Sequence, residues 1–231
     1  MANLFDYLKS RGHLPFEEAP FNEIDSLILS RLSYLPFDEI VPRSFTNTVT
    51  TAQASDLLFQ SENAQERAIM RMDLPFLREV AASGRFAEMG LCGFTNQVDS
   101  DSEKQFAAMV IRISPQLSYV SFRGTDLSLA GWKEDFNMSF CTPVPSQREA
   151  LHYLNEAAQN IHGEFMAGGH SKGGNLAVYA SAFCKLKVQD RIVSVHNHDG
   201  PGFNPDVLES KGYKRISQRV KTFVPQSSVV G

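Results

Sequence analysis

Ser171 is set among residues that would make its hydroxyl a nucleophile. It occupies the centre of Gly169-His170-Ser171-Lys172-Gly173, a G-x-S-x-G pattern. The pattern falls between a stretch that reads as a strand, 164–169, and one that reads as a helix of small residues beginning at Gly173, the context in which it carries meaning. A serine on so tight a strand-to-helix turn has a strained backbone, and a side chain two residues to either side would strike the neighbouring strand or helix, hence the glycines. The chemistry implied is acyl transfer, with the backbone N–H of Lys172 aimed at the oxyanion. The blander alternatives are a plain tight turn or a phosphate loop at a helix N-terminus, and the G-x-x-x-x-G-K-[ST] spacing of a P-loop is missing. The Lys172 side chain itself reads as solvated.

A serine needs a base to take its proton and an acid to orient that base. In this kind of fold they follow in the order serine, acid, histidine. Only His196 and His198 come after Ser171. Both sit in or just past a strand, where a histidine is more often structural, so they are weak candidates for the base. The acids available are Asp190, Asp199, Asp206 and Glu209. Active sites of parallel sheets lie at the C-terminal ends of strands. That rule favours Asp199, which leaves a strand in His198-Asp199-Gly200-Pro201-Gly202, over Asp190, which enters the same strand at its other end.

The elements that must position these residues are legible mainly in the second half. Apolar runs at 106–113 and 117–122, separated by a turn containing Pro115, predict a hairpin. Ser146 and Glu149 have capping-box spacing before a helical face of Leu151, Leu154, Ala158 and Ile161, predicting a helix over 147–162. Further strands are predicted at 191–197 and 220–224. Strands alternating with helices argue for a mostly parallel sheet with helices on both faces. In the first hundred residues a short helix is predicted near 4–9 and another between Pro20 and Pro36. A further helical pattern over 66–83 should be stopped or kinked by Pro75. This part reads as a helical accessory region of a single domain, with apolar faces suited to a lid.

Composition bounds the rest. The chain has 231 residues, 42% hydrophobic and 21% charged, the balance of a globular domain. A net charge of -4 with scattered Lys and Arg offers no basic stripe for nucleic acid. Three cysteines without a CxxC pair suggest a reducing cytoplasm. No stretch approaches the roughly 20 apolar residues of a spanning helix, and the first residues do not read as an export signal. The apolar ending Ser228-Val229-Val230-Gly231 suggests a piece of a longer chain. The chemistry requires no metal or organic cofactor.

Two motifs carry a resemblance. Gly168-Gly169-His170-Ser171-Lys172-Gly173-Gly174-Asn175-Leu176-Ala177 and, about fifty residues earlier, Phe122-Arg123-Gly124-Thr125-Asp126 together resemble the class 3 lipase pattern. With a helical start around Asn3-Leu4-Phe5-Asp6-Tyr7, nearly the whole chain resembles a family of uncharacterised bacterial α/β-hydrolases related to those lipases. The resemblance implies an α/β-hydrolase-like fold and makes Thr125 the second oxyanion-hole residue. It also implies that Trp132 and Asp135 fix the shape of the loop after it, although Trp132 alone reads as a packing residue. The lipase pattern expects an aspartate after the strand at 220–224, where this chain has Pro225-Gln226-Ser227-Ser228. The resemblance places a base histidine beyond Gly231. Three functions follow: a cytoplasmic serine hydrolase of an ester or thioester, a non-catalytic relative that binds an acyl ligand or a partner protein, and an acyltransferase using the same residues.

Overall fold

The computed structural model describes residues 3–99, 104–125 and 143–226. The N-terminal part contributes helices α1 (Leu4–Arg11) and α2 (Glu23–Leu32), strand β1 (Val49–Thr50), and helices α3 (Thr51–Gln60), α4 (Ala64–Arg67) and α5 (Asp73–Ala81). Strands β2 (Gly90–Asp99), β3 (Lys104–Ser114) and β4 (Leu117–Phe122) follow. Then come α6 (Pro145–Asn160), β5 (Glu164–His170), α7 (Lys172–Phe183), α8 (Leu186–Gln189) and β6 (Ile192–His198), and last α9 (Pro205–Glu209), α10 (Lys211–Ile216) and β7 (Val220–Phe223). Asn3, Asn22 and Thr50 cap α1, α2 and α3, each in a reciprocal box with the residue three positions on.

The seven strands lie side by side in sequence order. Pairing is antiparallel from β1 to β4 and parallel from β4 to β7. Five strands, β2 and β4–β7, therefore run one way and β1 and β3 the other. This is a mixed, mostly parallel sheet of α/β-hydrolase-like architecture. Alternate residues along each strand face opposite sides, so the sheet separates two cores. Val110, Val120, Phe122, Phe165, Ala167 and Val195 pack beneath α6 and α7. Met109, Ile111, Tyr119 and Met166 pack beneath α2 and its neighbours. Among the described residues, no helix is long and apolar enough to cross a membrane.

Four expectations change. The first hundred residues are not only helical, because β1 and the ten-residue β2 belong to the sheet. They are also more than accessory: Ile28, Leu29 and Leu32 of α2 are wholly buried against β4, β5 and β6, so α2 is a fixed layer of the core. Pro75 does not end a helix. It occupies the first turn of α5, where its missing N–H has no helical partner to lose. Ser146 does not cap α6, which starts one residue earlier at Pro145; the amide oxygen of Gln147 accepts the Val144 N–H at 3.0 Å instead.

Candidate active site

Strand β5 ends in Gly168-Gly169-His170 and α7 begins at Lys172, leaving Ser171 as the single linking residue. It has φ 55° and ψ -135°, a backbone state that costs a non-glycine residue on the order of 1–3 kcal/mol and needs support from its surroundings. The support is visible. The Ser171 N–H donates to the His198 carbonyl at 2.8 Å, and the Ser171 carbonyl accepts the Gly174 N–H at 2.8 Å. A Cβ on Gly173 would lie 2.1 Å from the Phe122 carbonyl oxygen, and one on Gly169 would lie 2.3 Å from the Gly173 carbonyl carbon. A Cβ on Gly174 would meet the Asn197 amide oxygen at 2.1 Å. Bare backbone is thus what lets β4, β5 and α7 converge around this turn. Ser171 itself is only partly buried.

The second motif ends on the same spot. Leaving β4, Arg123 stays in the sheet through its N–H to Ala107 (2.9 Å), and its guanidinium reaches Asn96. A Cβ on Gly124 would lie 3.2 Å from the Ser171 Cβ, so the segment bearing Thr125 passes directly beside the elbow. Lys172 opens α7, and its N–H belongs to the first turn, which directs its N–H groups out of the helix end. Its side chain is not solvated. It is 1% exposed, with the ammonium donating to the Gln105 carbonyl at 3.1 Å. Asp126, Trp132 and Asp135 lie outside the described residues.

Asp199 follows β6 directly, at φ 57°, with its N–H on the Phe223 carbonyl at 2.9 Å. The loop it begins is tied to α7, because the Asn175 amide donates to the Pro201 and Gly202 carbonyls and accepts from Gln147. Asp199 borders a cavity of about 350 Å³ at the ends of β5–β7, with His170, His198, Phe223, Ile24 and Leu27 among its walls. Asp190, Asp206 and Glu209 are exposed on α8's end and α9.

The histidines do not complete a triad. His196 is buried between Phe21, Tyr119 and Phe223 with Nε2 at 2.9 Å from Ser194 Oγ. His198 stacks on Phe223 and places Nε2 at 2.7 Å from Ser26 Oγ of α2. Burial, reinforced by neighbouring histidines, pushes His196 down to about 3 and His198 down to about 4, so both are neutral. Burial also lowers His170, helped by Arg31 and opposed by Asp199. Among the described residues no imidazole hydrogen-bonds the Ser171 hydroxyl, and no group of three or more His, Cys, Asp or Glu is arranged to hold a metal.

Sequence reasoning missed Tyr34, which stands just past α2. Its hydroxyl accepts the Gly124 N–H at 3.0 Å and donates to the His170 carbonyl at 3.1 Å. Only the three-dimensional fold could reveal it, since the partners are 90 and 136 positions away.

With this geometry in hand, the family match is decisive over residues 80–231. The chain belongs to the Mbeg1-like family. The matched region runs from the end of α5 through both motifs, and a lipase-related family is what those motifs implied. Among solved structures, the crystal structure of M37 lipase aligns over 88% of this chain and 67% of its own, at 15% identity and a TM-score of 0.47. No curated protein matches the chain.

Proposed function

We propose that this Mbeg1-like protein is a serine hydrolase that cleaves a carboxylic ester or thioester through an acyl-Ser171 intermediate. The observation that carries the reading is the strained, partly accessible Ser171 at a glycine-lined elbow, with the β4 exit pressed against it. In the first half-reaction the Ser171 oxygen attacks the acyl carbon and the carbonyl electrons move onto oxygen. The N–H groups of Lys172 and Thr125 are the donors that would stabilise that charge. As the Ser171 proton passes through a general base to the leaving oxygen or sulfur, collapse expels the alcohol or thiol; water then attacks the acyl carbon, gives a proton back to Ser171 by the same base and releases the acid. Asp199, at the C-terminal end of β6, is the candidate acid. Cys92 and Cys184 are buried free thiols, which suits a reducing cytoplasm.

None of the six histidines meets the Ser171 hydroxyl, and His196 and His198 are engaged with Ser194 and Ser26. The prediction for the 231-residue chain is therefore slow turnover with retained reactivity of the serine. A fluorophosphonate should label Ser171 stoichiometrically, and Ser171→Ala should remove the label and all p-nitrophenyl ester hydrolysis. Equal hydrolysis by the alanine variant would refute the proposal. The same gap favours one other reading, a catalytically inactive relative that holds an acyl ligand in the cavity walled by Ile24, Leu27 and Phe223. That reading predicts fatty-acid binding by a wild-type protein that takes no label. Acyl transfer to an acceptor other than water would use the same residues.

A further inference from the structure

Tyr34 is 2% exposed and belongs to the helical layer, yet its oxygen lies between the two motif segments. It accepts from the Gly124 N–H, one residue before Thr125, and donates to the His170 carbonyl, one residue before Ser171. Its ring is fixed as well, meeting the His170 ring edge-on at 6.2 Å and lying 4.5 Å below the Arg31 guanidinium, which is paired with Asp73. The fit is close: a Cβ on Gly124 would come within 2.3 Å of the Tyr34 oxygen and 2.5 Å of the His170 carbonyl oxygen. The glycine of the Phe122-Arg123-Gly124-Thr125 motif is thus a socket for this hydroxyl.

We propose that Tyr34 is a positioning residue that sets the spacing of the oxyanion hole, locking the segment that bears Thr125 to the turn that bears Ser171 and Lys172. The proposal rests on the hydrolase reading. It follows from the geometric demand of oxyanion stabilisation, in which donors must already stand where charge develops. A shift of about 1 Å there is worth on the order of 100-fold in rate. The β4–β5 ladder joins the two segments as far as Phe122 and Gly169, and just beyond that pairing the Tyr34 hydroxyl links Gly124 to His170.

The test is Tyr34→Phe, which keeps the ring and removes the oxygen. The control is Tyr153→Phe, which deletes another buried hydroxyl, bonded to the Gly93 carbonyl at 2.7 Å. Two readouts are needed. In NMR-detected amide exchange, Tyr34→Phe should accelerate exchange at Gly124, and Tyr153→Phe should not. In fluorophosphonate labelling of Ser171, Tyr34→Phe should lower the limiting rate roughly 10- to 100-fold with an unchanged half-saturating concentration, against a control rate equal to wild type. Unaltered exchange at Gly124 overturns the bridge. Faster exchange with a wild-type labelling rate overturns the positioning role. A wild-type protein whose Ser171 takes no label sinks the hydrolase reading and the positioning role with it, while the exchange result still reports whether the hydroxyl joins the two segments.

Discussion

A single methyl group separates the positions where glycine is required from those where it is incidental. At Gly173 the added carbon would sit 2.1 Å from the Phe122 carbonyl, which is backbone of a central strand and cannot swing aside, whereas at Gly202 it would meet nothing within 4 Å. Gly173→Ala is therefore predicted to cost about 3 kcal/mol and to abolish Ser171 labelling. Gly202→Ala should stay within about 0.5 kcal/mol of wild type. Urea unfolding midpoints decide it, and equal midpoints for the two variants would disprove the steric account. This logic was legible in the sequence because it is local: a serine with glycines two positions either side states its own constraint. Lys172 and Tyr34 were not legible, because a lysine reads as solvated and a tyrosine near a helix end as core until Gln105, Gly124 and His170 arrive from distant strands.

Strand β6 makes an element-scale commitment by turning His196 and His198 toward α2, away from water. Facing them are Tyr119, Phe21, Phe223, Ser26 and each other, with Lys221 and His170 as the charged or titratable groups that further disfavour their protonation. Their folded values of about 3 and about 4 lie below the ordinary 6.5. Between those limits the unfolded chain binds protons that the folded chain refuses, so stability falls as pH drops from about 6.5 toward about 4. From pH 7 to pH 5 the pair should cost about 4 kcal/mol. His198→Asn should flatten that slope, and an unchanged slope would show that the histidine is not held neutral. The same strand was easy to foresee from its apolar run, as were β3, β4, β5 and β7. Strand β2 was not, because a bulge between Cys92 and Thr95, with Gly93 at φ 63°, breaks the alternation by which a strand is recognised.

For the whole molecule the question is whether the N-terminal helices open as a lid or fold with the sheet. Leu8, Ile28, Leu29, Leu32, Leu35, Phe37 and Val41 are nearly or wholly buried. At about 1.5–3 kcal/mol each, their burial is a gross gain of the same order as the roughly 5–15 kcal/mol of net stability of an ordinary domain, so lifting the layer is expected to unfold the molecule. Its interior holds a fully buried ion pair, in which Asp25 of α2 receives Arg85 at 2.5 Å and the Tyr7 hydroxyl at 2.9 Å. Removing one member leaves an uncompensated charge in the core, at a cost of about 3–5 kcal/mol. Arg85→Met therefore distinguishes the two pictures. If layer and sheet are one cooperative unit, the variant unfolds in a single transition at lower denaturant, with tyrosine fluorescence and far-UV circular dichroism moving together. A lid would instead melt first, in a separate step that leaves the sheet and Ser171 labelling intact. The burial of α2 against β4–β6 predicts the single transition, and with it loss of labelling over the same denaturant range as loss of helix.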